Sequence, residues 1–300
     1  MQIFASTTSL GHGRTDLADI LPAIVDLGFD GIELGSTHVW RSDLAGIIEN
    51  NRPARILTHN YFPPSPDELV INIASSDANV RAASIAHVRT CIDFAASVGA
   101  ELYTVHPGFM AATATAATRR TPGVAFDFDF VGTRTPYEQS FALMRDALGD
   151  LLRCAQAAGV RLAIETEGSI TKPGMLLMEH PKEYRRLFSE LGPGLLLNFN
   201  LAHSSLAAKH HGFDLTEFIC EFGHCFAAVE ISHNDGEQDH HKPLIEGSFV
   251  FKWLPLLPDV PLILEFREAS ARDLQSSAKM LLSMAASFQP AENCQRLNSQ

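Results

Sequence analysis

The chain has 300 residues, 46% of them apolar and 19% charged, with a formal charge of −12. That is enough chain for a single domain with a large buried core, and barrels of alternating strands and helices commonly reach this length. The negative balance excludes broad nonspecific attraction to nucleic acid or to anionic membranes and leaves room only for a local basic groove.

Strand-like and helix-like patterns alternate along the chain, separated by short runs of Gly, Pro, Asp or Asn, as expected of repeated βα units around a parallel sheet. Eight such units can be read. The first strand is near Ile3 to Thr7. A helix over Asp16 to Leu27 follows, its apolar residues Leu17, Ile20, Leu21, Ile24 and Val25 at helical spacing and Gly28 as its stop. Gly31 to Leu34 is the second strand, and the third ends at His59. A Pro-rich loop, Phe62 to Pro66, then precedes a long helix from Asp77 to Val98, with Ser76 or Asp77 as cap and Gly99 as stop.

The fourth strand ends at His106. Gly108 to Arg134, rich in Ala, Thr, Gly and Phe, reads as one long irregular loop, either mobile or functional, for instance a lid. A helix over Pro136 to Ala158 leads to the fifth strand at Leu162. Helices near His180 to Leu191, Leu215 to Phe222 and Phe249 to Leu257 accompany units six, seven and eight. The last helix spans Ala269 to Phe288. These elements predict one (β/α)8 TIM barrel, an α/β single domain over residues 1–288, with 289–300 a polar, frayed tail.

Five cysteines, Cys91, Cys154, Cys220, Cys225 and Cys294, lack CxxC spacing and mostly fall in predicted helices. This argues against a disulfide framework or a thiolate zinc site and fits a reducing, cytoplasmic setting. The first residues carry no basic region followed by a long apolar stretch, and no apolar run approaches a bilayer's thickness. A soluble, unsecreted protein without membrane contact is expected.

Chemistry-bearing residues recur where strands give way to loops. The runs Arg55 to His59, Glu101 to His106, Leu162 to Glu165, Leu195 to Asn200, Phe226 to Glu230 and Pro261 to Glu265 each deliver His, Asn or Glu at the carboxyl end. In a parallel barrel those ends share one rim, so His59, His106, Glu165, Asn200, Glu230 and Glu265 form a candidate ring of metal ligands. Any one of them alone reads more readily as a solvated or Lys-paired side chain than as a ligand. Several carboxylates around one cavity, however, repel one another unless a cation offsets them.

Period-two alternation adds Tyr61, Glu167, Asn198 and Arg267 to the inward side. Glu167 is a candidate proton-transfer group and Arg267 a candidate anion clamp. The loop Ile231 to Pro243 brings His233, Asp239, His240 and His241, with Gly236 as a turn. His210 and His211, beside Lys209, read as a solvated helix or loop face, and His12, His38, His87, His180 and His224 lack a partner pattern and read as structural.

The runs Thr58-His59-Asn60-Tyr61, Tyr103 to Gly108, Leu162 to Thr166, Asn200-Leu-Ala-His203, Asp239-His-His241 and Leu262 to Glu265 resemble the xylose-isomerase-like barrel superfamily. That superfamily includes endonuclease IV and many sugar isomerases and epimerases, and the resemblance spans nearly the whole chain. It implies a metal shared by His59, His106 and Glu165, with Glu165 bridging to a second metal alongside Glu265. It also implies a third set in His203, Asp239 and His241. Two departures stand at the centre: Asn200 replaces the family's usual aspartate, and Glu230 its usual histidine. His233 stands where an aspartate would follow.

The resemblance implies a metal-dependent sugar isomerase, epimerase or related lyase acting on a small polyhydroxylated carbonyl compound. The divalent ion would be Mn, Zn, Co or Fe. Glu165, Glu265, His106 and Glu167 are the catalytic candidates, and Tyr61, Asn198, Arg267 and His233 the substrate-binding ones. Two other readings stay open. One is a phosphodiesterase of the endonuclease IV type, which the shortage of aromatic and basic loops for gripping DNA weighs against. The other is a degenerate, non-catalytic binding barrel. The expected partner is a small sugar-like molecule rather than nucleic acid, and a homo-oligomer is compatible with the barrel's exposed ends.

Overall fold

A computed structural model describes residues 1–11, 14–116, 128–168 and 174–287. In chain order its strands are β1 (Gln2–Ser6), β2 (Gly31–Leu34), β3 (Ile56–His59), β4 (Leu102–Val105), β5 (Ala111–Ala116), β6 (Phe128–Arg134), β7 (Arg161–Glu165), β8 (Leu196–Asn200), β9 (Phe226–Ile231) and β10 (Pro261–Leu264). All but β5 and β6 belong to a central closed barrel of eight parallel strands. Parallel pairing closes the ring where β1 meets β10, with Phe4 opposite Ile263. Around it lie α1 (Leu17–Val25), α2 (Leu44–Asn51), α3 (Ala78–Ser97), α4 (Tyr137–Ala158), α5 (Pro181–Leu191), α6 (Leu201–His211), α7 (Leu215–Phe222) and α8 (Ala271–Ser287). The TIM barrel expected from the alternation is therefore the fold.

Each strand sorts its side chains by period-two alternation. Outward residues such as Ile32, Leu34, Ile56, Leu162, Ile164, Val229, Leu262 and Leu264 pack against the helices in the main core. Inward residues Phe4, Leu57, Leu102, Ala163, Ala227, Ala228 and Ile263 form a separate apolar plug inside the barrel. Phe4 fixes the shape of this plug. A Cβ on Gly31, directly opposite it on β2, would lie 2.1 Å from the Phe4 ring, so only glycine lets the ring lie flat there. At the amino end Arg55 covers the same ring, its guanidinium 5.1 Å from the centroid and paired with Glu101 at 2.6 Å.

One step further along the strands, the inward positions turn polar. Glu33, His59, Thr104, Glu165, Asn198, Asn200 and Glu230 occupy them, and Glu265 follows at the end of β10; all are buried. The apolar plug below and the polar layer above are two successive layers of one barrel interior.

Several expectations need correction. Gly108 to Arg134 is not irregular throughout: its described residues include β5 and β6, paired antiparallel, while 117–127 lie outside the described residues. Its Ala- and Thr-rich strand lacks the bulky apolar alternation that marks strands. Two helices escaped the pattern. Helix α2 is only eight residues long and contains Gly46, while α6 starts without any loop after β8 and buries residues on several sides. The helix read over Phe249 to Leu257 is two 3-10 turns, Phe249–Lys252 and Leu254–Leu256, because Pro255 interrupts the ladder. Helix α5 belongs between the fifth and sixth barrel strands.

The expected tail, 289–300, lies outside the described residues. Cys91, Cys154 and Cys225 are free thiols, whereas Cys220 is disulfide-bonded, which neither the odd count nor the spacing announced. No helix among the described residues is long and apolar enough to cross a membrane.

Candidate active site

At the carboxyl rim the strand ends bring most of the expected residues into one connected cluster. Glu165, ending β7, is its hub. His59 Nε2 lies 2.8 Å from Glu165 Oε2, and His106 Nε2 lies 3.0 Å from the same oxygen. His203 Nδ1 lies 3.1 Å from Oε1, which also accepts the Asn200 amide at 3.0 Å. On its other nitrogen His106 meets Glu167 at 2.6 Å. The His106 side chain is 25% exposed, against 3% for His59, so His106 marks the side open to solvent.

A second grouping is centred on Asp239, whose Oδ2 receives His203 Nε2 at 3.1 Å and His241 Nε2 at 2.9 Å. His241 Nδ1 in turn lies 3.1 Å from Glu265 Oε2. Glu230 has no imidazole within hydrogen-bonding distance. It accepts the side-chain amides of Asn198 at 2.5 Å and Asn200 at 2.7 Å.

Asn200 is held firmly. Its backbone N–H donates to Thr166 Oγ1, and its side-chain oxygen accepts His203 N–H at 3.1 Å as the cap of α6. A helix start needs an acceptor there. That assignment leaves the amide N–H groups for Glu165 and Glu230, where an oxygen would meet only other acceptors.

The electrostatics divide the carboxylates into two kinds. Burial pushes Glu165 up, but His106 and His59 outweigh it and hold the group well below the ordinary carboxylate range. Burial also opposes the charge on Asp239, and His241 and His203 overcome it. Glu265 likewise ends at about 2, against its own burial, because His241 pairs with it. The imidazoles shift reciprocally: His241 rises to about 9, and His106 and His203 well above their usual value, as the carboxylates outweigh burial. Burial raises Glu230 well above the ordinary range, reinforced by Glu165, Glu265 and Glu33. Burial takes Glu33 to about 7, only partly offset by His59.

Among the described residues, three groupings bring ligand atoms within 4.8 Å of one another: His59 with His106 and Glu165, His203 with Asp239 and His241, and Glu33 with His59 and Glu230. Imidazole nitrogen and carboxylate oxygen are the donors that zinc, manganese and ferrous iron take. The cluster therefore fits a divalent metal on its own chemistry.

Among the substrate-binding candidates, Asn198 faces the cavity and its Oδ1 accepts no hydrogen bond. Arg267 is half-buried beside His241, whose carbonyl accepts its backbone N–H at 2.8 Å. Tyr61 stands apart, its hydroxyl accepting Ile71 N–H at 2.8 Å. His233 also lies outside the cluster, pairing its backbone with Lys242 and stacking obliquely on Phe249 at 6.0 Å. Glu33 is the buried site residue that the strand-end pattern missed. A lone carboxylate in the short strand Gly31–Leu34, two residues after a Gly that must face inward, was the available signal.

Fold and site together define a parallel barrel with a buried carboxylate and imidazole centre at its carboxyl rim. The chain belongs to the xylose isomerase-like TIM barrel family, whose sequence profile matches residues 21–281. Among solved structures it is similar to a D-tagatose 3-epimerase-like protein, at 17% identity and TM-score 0.71 over 95% of this chain and 97% of that one. It is similar to D-psicose 3-epimerase crystallised in the presence of D-fructose, at 12% identity and TM-score 0.68 over 97% and 100% of the two chains. It is also similar to a Thermus thermophilus protein soaked with zinc chloride, at 19% identity and TM-score 0.63 over 96% and 100%. At such identities the likeness is one of fold. No curated protein sequence matches the chain.

Proposed function

We propose that the protein is a divalent-metal-dependent isomerase or epimerase of a small polyhydroxylated carbonyl compound, a sugar or sugar derivative. The observation that carries this reading is the approach of Glu165 and Glu265 to opposite nitrogens of His59 in one buried cavity, at 2.8 Å from Nε2 and 4.0 Å from Nδ1. Glu165, Glu230, Glu265, His59 and His106 present donor atoms to hold the ion, and His203, Asp239 and His241 offer a further set. Asn200 presents its amide nitrogen and serves as a hydrogen-bond donor to the carboxylates. A bound divalent cation would polarise the substrate carbonyl and lower the barrier to removing the proton on the neighbouring carbon.

One of Glu165 and Glu265 takes that proton as the C–H bond breaks, and the electron pair moves toward the carbonyl. The other delivers a proton to the opposite face, which inverts the carbon. His106, oriented by Glu167 and open to solvent, restores the proton balance after each turnover. Asn198 Oδ1 accepts a substrate hydroxyl, and Arg267 suits a substrate phosphate or carboxylate. D-Tagatose, D-psicose and D-fructose, named for the similar structures, head the panel of candidate ketoses. The test is solvent deuterium entering such ketoses after loading with manganese, cobalt or zinc. Metal binding with exchange supports the reading; absence of both removes it.

A second reading is a metal-dependent phosphodiesterase. It is favoured by the direct link between the Asp239 grouping and Glu165 through His203, which sets two ligand groups side by side. Cleavage of an abasic-site duplex, lost in Glu165→Ala, would promote it over the first.

A further inference from the structure

We infer that Glu33 is a metal ligand: with Glu230, Glu265 and the Nδ1 atom of His59 it forms a site for one oxygen-preferring divalent cation of the manganese kind. This rests on the metal-dependent reading above and adds a ligand and a metal preference to it.

His59 Nδ1 lies 4.0 Å from one oxygen of each of Glu33, Glu230 and Glu265. That is too long for a hydrogen bond. It is the spacing of ligands that share a cation, since atoms about 2.0–2.2 Å from a common ion stand roughly 3–4 Å apart. His59 Nδ1 and both oxygens of Glu33 have no hydrogen-bond partner, although His59 and Glu33 are 3% and 1% exposed. Nδ1 of this imidazole is thus an unpartnered, buried ligand atom aimed into the carboxylates.

The surrounding pairings show where positive charge is missing. Glu165 has His59, His106 and His203, and Asp239 has His203 and His241. Glu265 uses Oε2 toward His241, which leaves Oε1 for the centre. Glu230 meets the neutral amides of Asn198 and Asn200, and among the described residues neither it nor Glu33 meets a cationic group at hydrogen-bonding distance. Buried carboxylates left together in this way repel unless a cation joins them.

Three carboxylates to one imidazole favour manganese, whereas two imidazoles to one carboxylate at His203, Asp239 and His241 suit zinc. Asn200 is outside the manganese set because its oxygen caps α6.

The full-length protein, stripped of metal by a chelator, is titrated with manganese chloride while the paramagnetic resonance of free Mn2+ counts the bound equivalents; thermal unfolding is recorded alongside. Glu33→Gln should lower Mn2+ affinity at least tenfold and leave in place the zinc equivalent held by His203, Asp239 and His241. Metal-free Glu33→Gln should melt no lower than the metal-free parent, because an uncompensated buried carboxylate has been removed; a purely structural glutamate would give the opposite sign. Parent-like Mn2+ binding by Glu33→Gln overturns the inference and leaves the proposed function standing. A parent that binds no Mn2+ or other divalent metal overturns both. If Glu33→Gln does not fold, Glu33→Asp, which keeps the charge and withdraws the oxygen, must weaken Mn2+ binding in the same direction, and unchanged affinity is refuting.

Discussion

Asn200 donates its amide to Glu230 at 2.7 Å, so a neutral side chain supports a carboxylate in the most buried part of the site. Changing Asn200 to Asp would replace a donor with a third acidic group facing Glu165 and Glu230. Without metal, Asn200→Asp should destabilise the protein by about 3 kcal/mol, the scale for breaking a buried polar pairing that involves a charge. With manganese or zinc, affinity should rise, because carboxylate oxygen is the stronger ligand. Urea unfolding with and without metal checks both, and a variant as stable as the parent under chelation would contradict the donor role.

Glu165 touches three imidazoles and the Asn200 amide, and the proposed proton transfer runs through it or Glu265. Glu165→Gln should cut solvent deuterium incorporation by about 10²–10⁴-fold, the usual contribution of a positioned acid or base. Mass spectrometry of the recovered sugar reads this directly. Circular dichroism should show the barrel intact, so that lost exchange reports chemistry.

His38 lies away from the metal cluster, between Thr7 Oγ1 at 2.7 Å and Thr15 Oγ1 at 3.2 Å. Burial pushes its pKa down to about 4, although Thr15 and Asp16 act the other way. Between about 6.5 and 4 the unfolded chain holds a proton on this ring and the folded chain does not. Stability contributed by neutral His38 is therefore complete above pH 6.5 and falls as pH drops toward 4, by about 3 kcal/mol in all. Urea titrations at pH 7 and 4.5 should show a smaller acid loss in His38→Gln than in the parent.

Gly31→Ala should destabilise the barrel by about 1–3 kcal/mol or more, because its methyl would enter the Phe4 ring. Phe4→Leu, destabilising by itself, should recover part of that loss in the double variant. Additive effects in a double-mutant cycle would show that the two residues do not compete for the same space.

Much of this was legible in the chain. The barrel was, because Gly31-Ile-Glu-Leu34 and Leu162-Ala-Ile-Glu165 are short apolar runs with helical patterns between them, and local pattern is what fixes a βα unit. The rim cluster was too, since a parallel barrel must bring Glu165, Glu230 and Glu265 to one end. Glu33 escaped because it lies inside its strand rather than at the end, and only the Phe4–Gly31 register shows that its face is inward. The role of Asn200 also escaped: a helix beginning at the next residue, which no loop announces, turns its oxygen away from the centre. Tyr61 followed alternation beyond the last strand residue, where Asn60 turns to positive φ and the backbone no longer keeps its pleat, whereas His233 comes from the loop after β9.

The absence of any connecting segment between β8 and α6 has a mechanical consequence. Asn200 ends one element and caps the next, and α6 carries His203 of the Asp239 grouping. A ligand that drew His203 closer would pull on the same residue that steadies Glu230, so binding at one grouping would be felt at the other. Thermodynamic reciprocity would make that influence equal in both directions.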